Sequence, residues 1–210
     1  VPIKVFQGIR GVTPEGQEYE STLESDYMTL LRFDPEVQTY RTQPCRLSFQ
    51  DRGKTRTYTP DIFVEYRSNS IHFKPRISEL IEIKPRAFVE MADPDMILRH
   101  NAAREYAESS GWIFRVVTED DIPVEFLENA KFLLRYIGDT PLEPYATLLL
   151  ENLRQFEEIS ISALIRLSLE DEQNRAQLLT ELWTLISQNK IGVDLQKNLT
   201  MSSMVWSLPI

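Results

Sequence analysis

The sequence predicts an α/β protein, in which a mixed sheet with helices covering it is followed by a smaller, mostly helical domain that closes on a β-ribbon. Three observations lead there. Between residues 21 and 137, strand-like and helix-like hydrophobic patterns alternate in the order α-β-β-β-β-α-β-α. Gly138-Asp139-Thr140-Pro141 then breaks the pattern with turn chemistry. Beyond it the apolar spacing is helical until two short strand-like runs near the end. This predicts a first domain over 1–138, with 1–19 as an irregular arm, and a second over 139–210.

Gly8, Gly11, Pro14 and Gly16 argue against regular structure in the arm. Ser21-Thr22-Leu23-Glu24 matches a capping box and should start a helix that runs to about Leu31, before Phe33-Asp34-Pro35. Val37–Tyr40 and Arg46–Gln50 read as strands, and Asp51-Arg52-Gly53-Lys54 as a hairpin turn. Arg56–Tyr66 alternates and reads as one long strand, 67–78 as a polar connection, and Glu79–Lys84 as a strand. Asp93 or Asp95 should cap the next helix, with Gly111 past its end. Trp112–Val117 is a strand, and Pro123 opens a helix that Gly138 closes. In the second domain, Leu142 to Leu153, Ser162–Leu167 and Gln173–Gln188 read as helices, and Ile191–Leu195 and Met201–Leu208 as strands. Three helices followed by a ribbon outline a winged helix.

The 210 residues suffice for a sizeable core. No apolar run is long enough to span a bilayer, and no signal peptide is visible, so a cytoplasmic protein is expected. The chain opens at Val1, as though trimmed. One cysteine, Cys45, excludes an intrachain disulfide framework and a Cys-based zinc site, and two histidines, His72 and His100, leave little for histidine-rich metal chemistry. The net charge of −9 argues against unaided DNA binding. Against that balance, Arg41, Arg46, Arg52, Lys54 and Arg56 form a basic stretch interrupted by Asp51 alone.

The candidate chemistry lies at Pro60-Asp61 and Glu82-Ile83-Lys84. Alternation puts Glu82 and Lys84 on one face of their strand. The order Pro-Asp, connection, Glu-x-Lys is the PD-(D/E)xK pattern of metal-dependent nucleases. Phosphodiester hydrolysis calls for a hard cation, Mg²⁺ or Mn²⁺, and hence oxygen ligands, which Asp61, Glu82 and the Ile83 carbonyl can supply. Lys84 can orient water or stabilise transition-state charge. Glu24, on the inward face of its helix with Tyr27 and Leu31, either joins this set or only completes the capping box. His100 reads as a packed or surface histidine and Cys45 as a strand residue.

Leu23-Glu24-Ser25-Asp26-Tyr27, Phe33-Asp34-Pro35, Tyr40, Gln43-Pro44, Tyr58-Thr59-Pro60-Asp61, Ile81-Glu82-Ile83-Lys84-Pro85, Gly111-Trp112 and Val117-Thr118-Glu119-Asp120-Asp121-Ile122 follow one another as in the TnsA endonucleases. The chain resembles that family, the end-cleaving subunit of heteromeric, Tn7-like TnsA–TnsB transposases, over about residues 20–137, and more loosely beyond. The resemblance implies a restriction-endonuclease-like core, a C-terminal winged helix, and cutting of the 5′ ends of transposon DNA. A TnsB-type DDE transposase would process the 3′ ends and a TnsC-type AAA+ ATPase would regulate, in some systems with a CRISPR-guided or sequence-specific targeting module. It matches Glu24, Asp61 and Lys84 to the family's catalytic helix glutamate, aspartate and lysine, and Glu82 to the position before x-Lys, which gives Glu24, Asp61, Glu82 and Lys84 as the expected catalytic set. Glu82 stands where some members have glutamine.

Beside such a site, Arg41, Arg46, Arg52, Lys54 and Arg56 become candidates for DNA phosphates, with Gln43, Lys74 and Arg76. A stand-alone PD-(D/E)xK restriction or repair nuclease would share the chemistry but cut alone. A non-catalytic winged-helix adaptor would not need the set Glu24, Asp61, Glu82 and Lys84. In the second domain the region of the third helix runs Glu170-Asp171-Glu172 at its start and has only Arg175 and Lys190 as cations, which favours docking of protein, the AAA+ regulator first, over reading of DNA.

Overall fold

The computed structural model describes residues 10–68, 75–91, 93–168 and 172–208. The chain forms two compact units, Val1–Ile122 and Pro123–Ile210. The division therefore falls ahead of the Gly138–Pro141 turn expected from sequence.

The first unit opens with a small hairpin, β1 (Gly11–Val12) and β2 (Glu18–Tyr19), where the sequence suggested only an irregular arm. Helix α1 (Thr22–Phe33) follows, with the Ser21 hydroxyl accepting the Glu24 N–H at its start. Tyr27, Met28, Leu31 and Phe33 are its buried residues, and it stops at Asp34 before Pro35. Strand β3 (Val37–Thr42) leads to a hairpin of β4 (Leu47–Asp51) and β5 (Lys54–Tyr58), whose two-residue turn uses positive φ at Arg52 and Gly53. After β6 (Ile62–Tyr66) and β7 (Glu79–Ile83) come the short α2 (Arg86–Glu90), absent from the sequence reading, and α3 (Pro94–Ser109). Asp93 caps α3, and Gly111 with φ +74 follows its end. Strand β8 (Ile113–Val117) closes the unit.

The main sheet has the order β3-β6-β7-β8, antiparallel except for the parallel pair β7–β8. The parallel pair needs a crossover, which α3 supplies. One sheet face carries Phe63 and Leu80, packed with Leu47 and Tyr58 of the hairpin and Ala103 and Ala107 of α3. Phe63 also packs against Trp112, ring centroids 4.2 Å apart. Ile62 pairs with Ile81, and both side chains lie on the opposite face, fully buried. Burial on both faces is why β6 carries Ile62, Phe63 and Val64 as an unbroken apolar run.

The long strand expected over Arg56–Tyr66 is two strands in two sheets. β5 pairs only with β4, β6 joins the main sheet, and Thr59-Pro60-Asp61 separates them. Pro60 has no N–H for a ladder, and alternation in the sequence cannot register such a change of sheet.

The second unit comprises α4 (Val124–Leu133), α5 (Glu143–Leu153), β9 (Ile159–Ser160), α6 (Ile161–Ser168), α7 (Glu172–Ser187), β10 (Ile191–Val193) and β11 (Met204–Ser207). Its antiparallel sheet has the order β10-β11-β9. Helix, strand, two helices and a ribbon form the winged helix, with β9 as a strand the sequence did not reveal. Leu149, Leu153, Ile161, Leu164, Leu178 and Leu182 are fully buried in this unit. Gly192 pairs with Trp206 in the ribbon, where any side chain would collide with the indole. Helix α4, which the sequence placed in the first domain, belongs here. Its Phe132 packs edge-on against Trp183 of α7, centroids 5.3 Å apart. Buried Asn129 donates to the Leu195 and Lys197 carbonyls at 2.9 and 2.8 Å and accepts from the Leu199 N–H at 3.1 Å. No helix among the described residues is long and apolar enough to cross a membrane.

Asn129→Ala should therefore lower the unfolding free energy by roughly 1–3 kcal/mol, since it strands buried backbone groups. Urea denaturation reads this as a lower midpoint at unchanged slope. Glu128→Ala, one residue away and exposed, should stay within about 0.5 kcal/mol.

Candidate active site

Strand β7 carries the centre. Leu80, Glu82 and Lys84 alternate onto the face covered by α3 and the β4–β5 hairpin. Asp61, just ahead of β6, continues the ladder: its N–H donates to the Ile81 carbonyl at 3.0 Å and its carbonyl accepts from the Gln43 N–H at 2.8 Å. The β6–β7 register ends at Ile62 opposite Ile81; Asp61 bonds to that same Ile81, one residue out of register, and its carboxylate reaches the Ile83 amide on the far side of Glu82.

Glu82 is only 3% exposed. Its carboxylate is held at both oxygens. The Tyr58 hydroxyl donates to Oε2 at 2.5 Å, and the half-buried Lys84 Nζ lies 3.1 Å from Oε1. The Lys84 backbone is fixed in turn, its N–H donating to the Val117 carbonyl at 2.9 Å. Asp61 Oδ2 accepts the Ile83 N–H at 2.7 Å, while Oδ1 has no hydrogen-bond donor among the described residues. Burial first, and then the charge of Glu82, push the Asp61 carboxyl up to about 8. The Ile83 amide and Lys84 pull it back, and Glu24 adds to the upward push. Lys84 balances Glu82, and ionising Asp61 would add a negative charge that no cation of the site offsets.

Glu24 acts on Asp61 electrostatically, but its carboxylate is turned onto its helix start. Oε1 accepts from the Ser21 hydroxyl at 2.8 Å and Oε2 from the Glu20 N–H at 2.9 Å. Of the two roles considered for Glu24, the structure displays the capping box. Ile83, expected to offer its carbonyl, is seen through its N–H. Among the described residues no group of three or more His, Cys, Asp or Glu is arranged to hold a metal, so the four-ligand set does not stand preformed.

The basic candidates divide. Arg41, Gln43, Arg46, Arg52 and Lys54 are exposed. Gln43 has φ 46, a left-handed conformation unusual for a side chain of its length. Arg56 is tied to Asp51 at 2.7 Å and to Asp95 at 2.9 Å. Arg76 is tied to Glu36 at 2.9 Å and Asp34 at 3.1 Å and lies over the Tyr66 ring. Both are engaged within the unit, Arg56 by its hairpin neighbour Asp51 and by the distant Asp95, Arg76 by the distant Asp34 and Glu36. Lys74 lies outside the described residues. Cys45 packs against the hairpin core, where burial raises its thiol.

Tyr58 had gone unassigned, and His100 had been read only as a packed or surface histidine. Tyr58 was visible only as part of Tyr58-Thr59-Pro60-Asp61, and nothing local aims its hydroxyl at a residue 24 positions on. His100 is buried on α3 beside Phe114, with its Nε2 unpartnered among the described residues. Burial lowers its pKa, and Glu82 opposes that shift.

Residues 34–119 match the family model for the N-terminal part of TnsA-like endonucleases, and residues 121–195 match that for the C-terminal part of TnsA endonucleases. The chain belongs to the TnsA family. Membership carries nuclease activity and the setting of DNA transposition. The curated proteins contain no match to the chain. Asp61, Glu82 and Lys84 lie inside the N-terminal match, Glu24 ahead of it, and the junction of the two matches sits beside the Ile122–Pro123 division of the TnsA chain.

The Asp61 carboxyl sets a pH dependence. In the folded chain without divalent cations it keeps its proton up to about 8, whereas in the unfolded chain it releases it near ~3.9. Between those values the folded state binds more protons, so this contribution is complete at low pH and is lost as pH rises towards 8. Urea unfolding in a chelator should show the decline, and Asp61→Asn should flatten it. An equally steep decline in Asp61→Asn would contradict this protonation.

Proposed function

We propose that this TnsA chain cleaves the 5′ ends of a transposon in a Mg²⁺-dependent reaction, with Mn²⁺ able to substitute. The observation that carries this is the buried pair Asp61 and Glu82 with Lys84 beside it, at the end of β7. The donor chemistry fits a hard divalent cation, since the groups are oxygen donors and a cation would offset the charge that Asp61 gains on ionising. Asp61 Oδ1, Glu82 and the Ile83 carbonyl would hold it, with Glu24 joining if it leaves its cap. A cation so held polarises the phosphate and lowers the pKa of its water. Asp61 and Glu82 bind and orient at that centre. Lys84, anchored on Glu82, places a positive charge where the phosphate gains negative charge in the transition state. The exposed Arg41, Arg46, Arg52 and Lys54 supply phosphate contacts, and Gln43 adds a polar one beside Asp61.

Acting with a TnsB-type DDE transposase and a TnsC-type AAA+ ATPase fits a chain of net charge −9, which gains little from long-range steering to DNA. The winged helix supports a protein-docking role towards the ATPase. Glu181 through Ser187 of α7 are buried, and α4 packs on α7 through Phe132 and Trp183. Asn174, Ala176, Gln177 and Thr180, exposed on α7, carry no charge. The acidic start expected for this helix falls partly on Glu170 and Asp171, outside the described residues.

Asp61→Ala should reduce 5′-end cleavage on the order of 10³-fold or more in a reaction reconstituted with transposase and regulator. Cleavage at the 3′ ends and the folded circular-dichroism spectrum should persist. Full 5′ cutting by this variant would refute the assignment. For the second unit, Arg175→Ala with Lys190→Ala should leave affinity for transposon-end DNA within about twofold and its salt dependence unchanged. A DNA-reading α7 would instead lose about one unit of salt slope per phosphate-bound cation.

A further inference from the structure

We propose that Tyr58 is a positioning residue of the nuclease centre, whose hydroxyl holds the Glu82 carboxylate in the orientation that binds the divalent cation. This rests on the metal-dependent reading above and extends it to a residue that the PD-(D/E)xK pattern does not contain.

The position of Tyr58 is dictated from two directions. It ends β5, directly opposite Leu47 in the hairpin register, so the hairpin fixes its backbone. Its ring sits in the cluster of Leu47, Phe63, Leu80, Ala103 and Ala107, so packing fixes its side chain. From there the hydroxyl reaches Glu82 Oε2 at 2.5 Å, while Lys84 Nζ stands 3.1 Å from Oε1. One carboxylate is therefore held by two donors from different elements. Lys84 directly follows Glu82's own strand and has a flexible stem, whereas Tyr58 comes from a separate hairpin and has two torsions, both set by packing. The rigid donor is the one that defines the carboxylate plane.

A ligating carboxylate whose outer partner is lost typically drops metal affinity or activity by ~10–100-fold. Tyr58→Phe removes the hydroxyl and leaves the ring in the cluster. Leu47→Val disturbs the same packing and leaves the hydroxyl. The test titrates Mn²⁺ alone into the full chain without DNA and reads free Mn²⁺ by its paramagnetic signal, so that turnover plays no part. Thermal unfolding of each variant is measured alongside. Tyr58→Phe should weaken Mn²⁺ binding about 10-fold or more. Leu47→Val should lower the melting temperature and leave Mn²⁺ binding within about twofold. In a Glu82→Gln background, Tyr58→Phe should cause no further loss, because it acts through Glu82. The proposal is overturned if Tyr58→Phe binds Mn²⁺ like the wild type or more tightly, if Leu47→Val weakens binding equally, or if the Tyr58→Phe effect persists undiminished beside Glu82→Gln. A wild-type chain that takes up no Mn²⁺ would overturn the metal reading itself, whereas wild-type binding with an indifferent Tyr58→Phe overturns the role of Tyr58 alone.

Discussion

Two carboxylates facing each other at the buried end of β7 are the constraint around which the first unit is organised. An isolated charge in such a position is costly, and two of the same sign more so. The surroundings answer with specific donors: the Tyr58 hydroxyl and Lys84 at Glu82, and the Ile83 amide at Asp61. What those donors leave unbalanced appears as the raised Asp61 carboxyl. Natural folds accept destabilising arrangements of this kind where function needs them, and the nuclease chemistry of the TnsA family gives the need.

The rest of the unit follows from that centre. Keeping Asp61 beside Glu82 requires β6 and β7 to hold their antiparallel register, since the Ile81 carbonyl and the Ile83 amide of β7 are what fix Asp61. Placing a rigid donor on Glu82 requires the β4–β5 hairpin to leave the main sheet and fold over its face, and Pro60 marks where the chain returns. The same hairpin exposes Arg46, Arg52 and Lys54 to solvent, so one element carries both the inner support of the carboxylates and part of the outer positive charge. Positive charge is local in a chain that is acidic as a whole, and α7 of the winged helix adds little to it.

Much was legible in the sequence because it is local. The capping box at Ser21–Glu24, the Arg52-Gly53 turn, the Asp93 cap and the strand Glu79–Ile83 are decided within a few residues, and each formed where its residues indicated. Glu82 and Lys84 share a face because strand alternation has period two, which needs no tertiary information. The TnsA resemblance was likewise a matter of motif order along the chain, and the family matches fall on the same stretches from Phe33-Asp34-Pro35 onward.

What the sequence by itself determined was thus the α/β class, the winged-helix outline, and the residue types Asp61, Glu82 and Lys84 with their spacing. Tertiary structure alone decided the break of Arg56–Tyr66 into two sheets, the membership of α4 in the second unit, the engagement of Arg56 and Arg76 with carboxylates, and the reach of Tyr58 to Glu82. The reason is physical. Periodicity and caps report how a segment satisfies its own backbone and which side it buries. Which distant group completes a buried hydrogen bond, or neutralises a charge, depends on how elements far apart in the chain pack, and no local pattern encodes it.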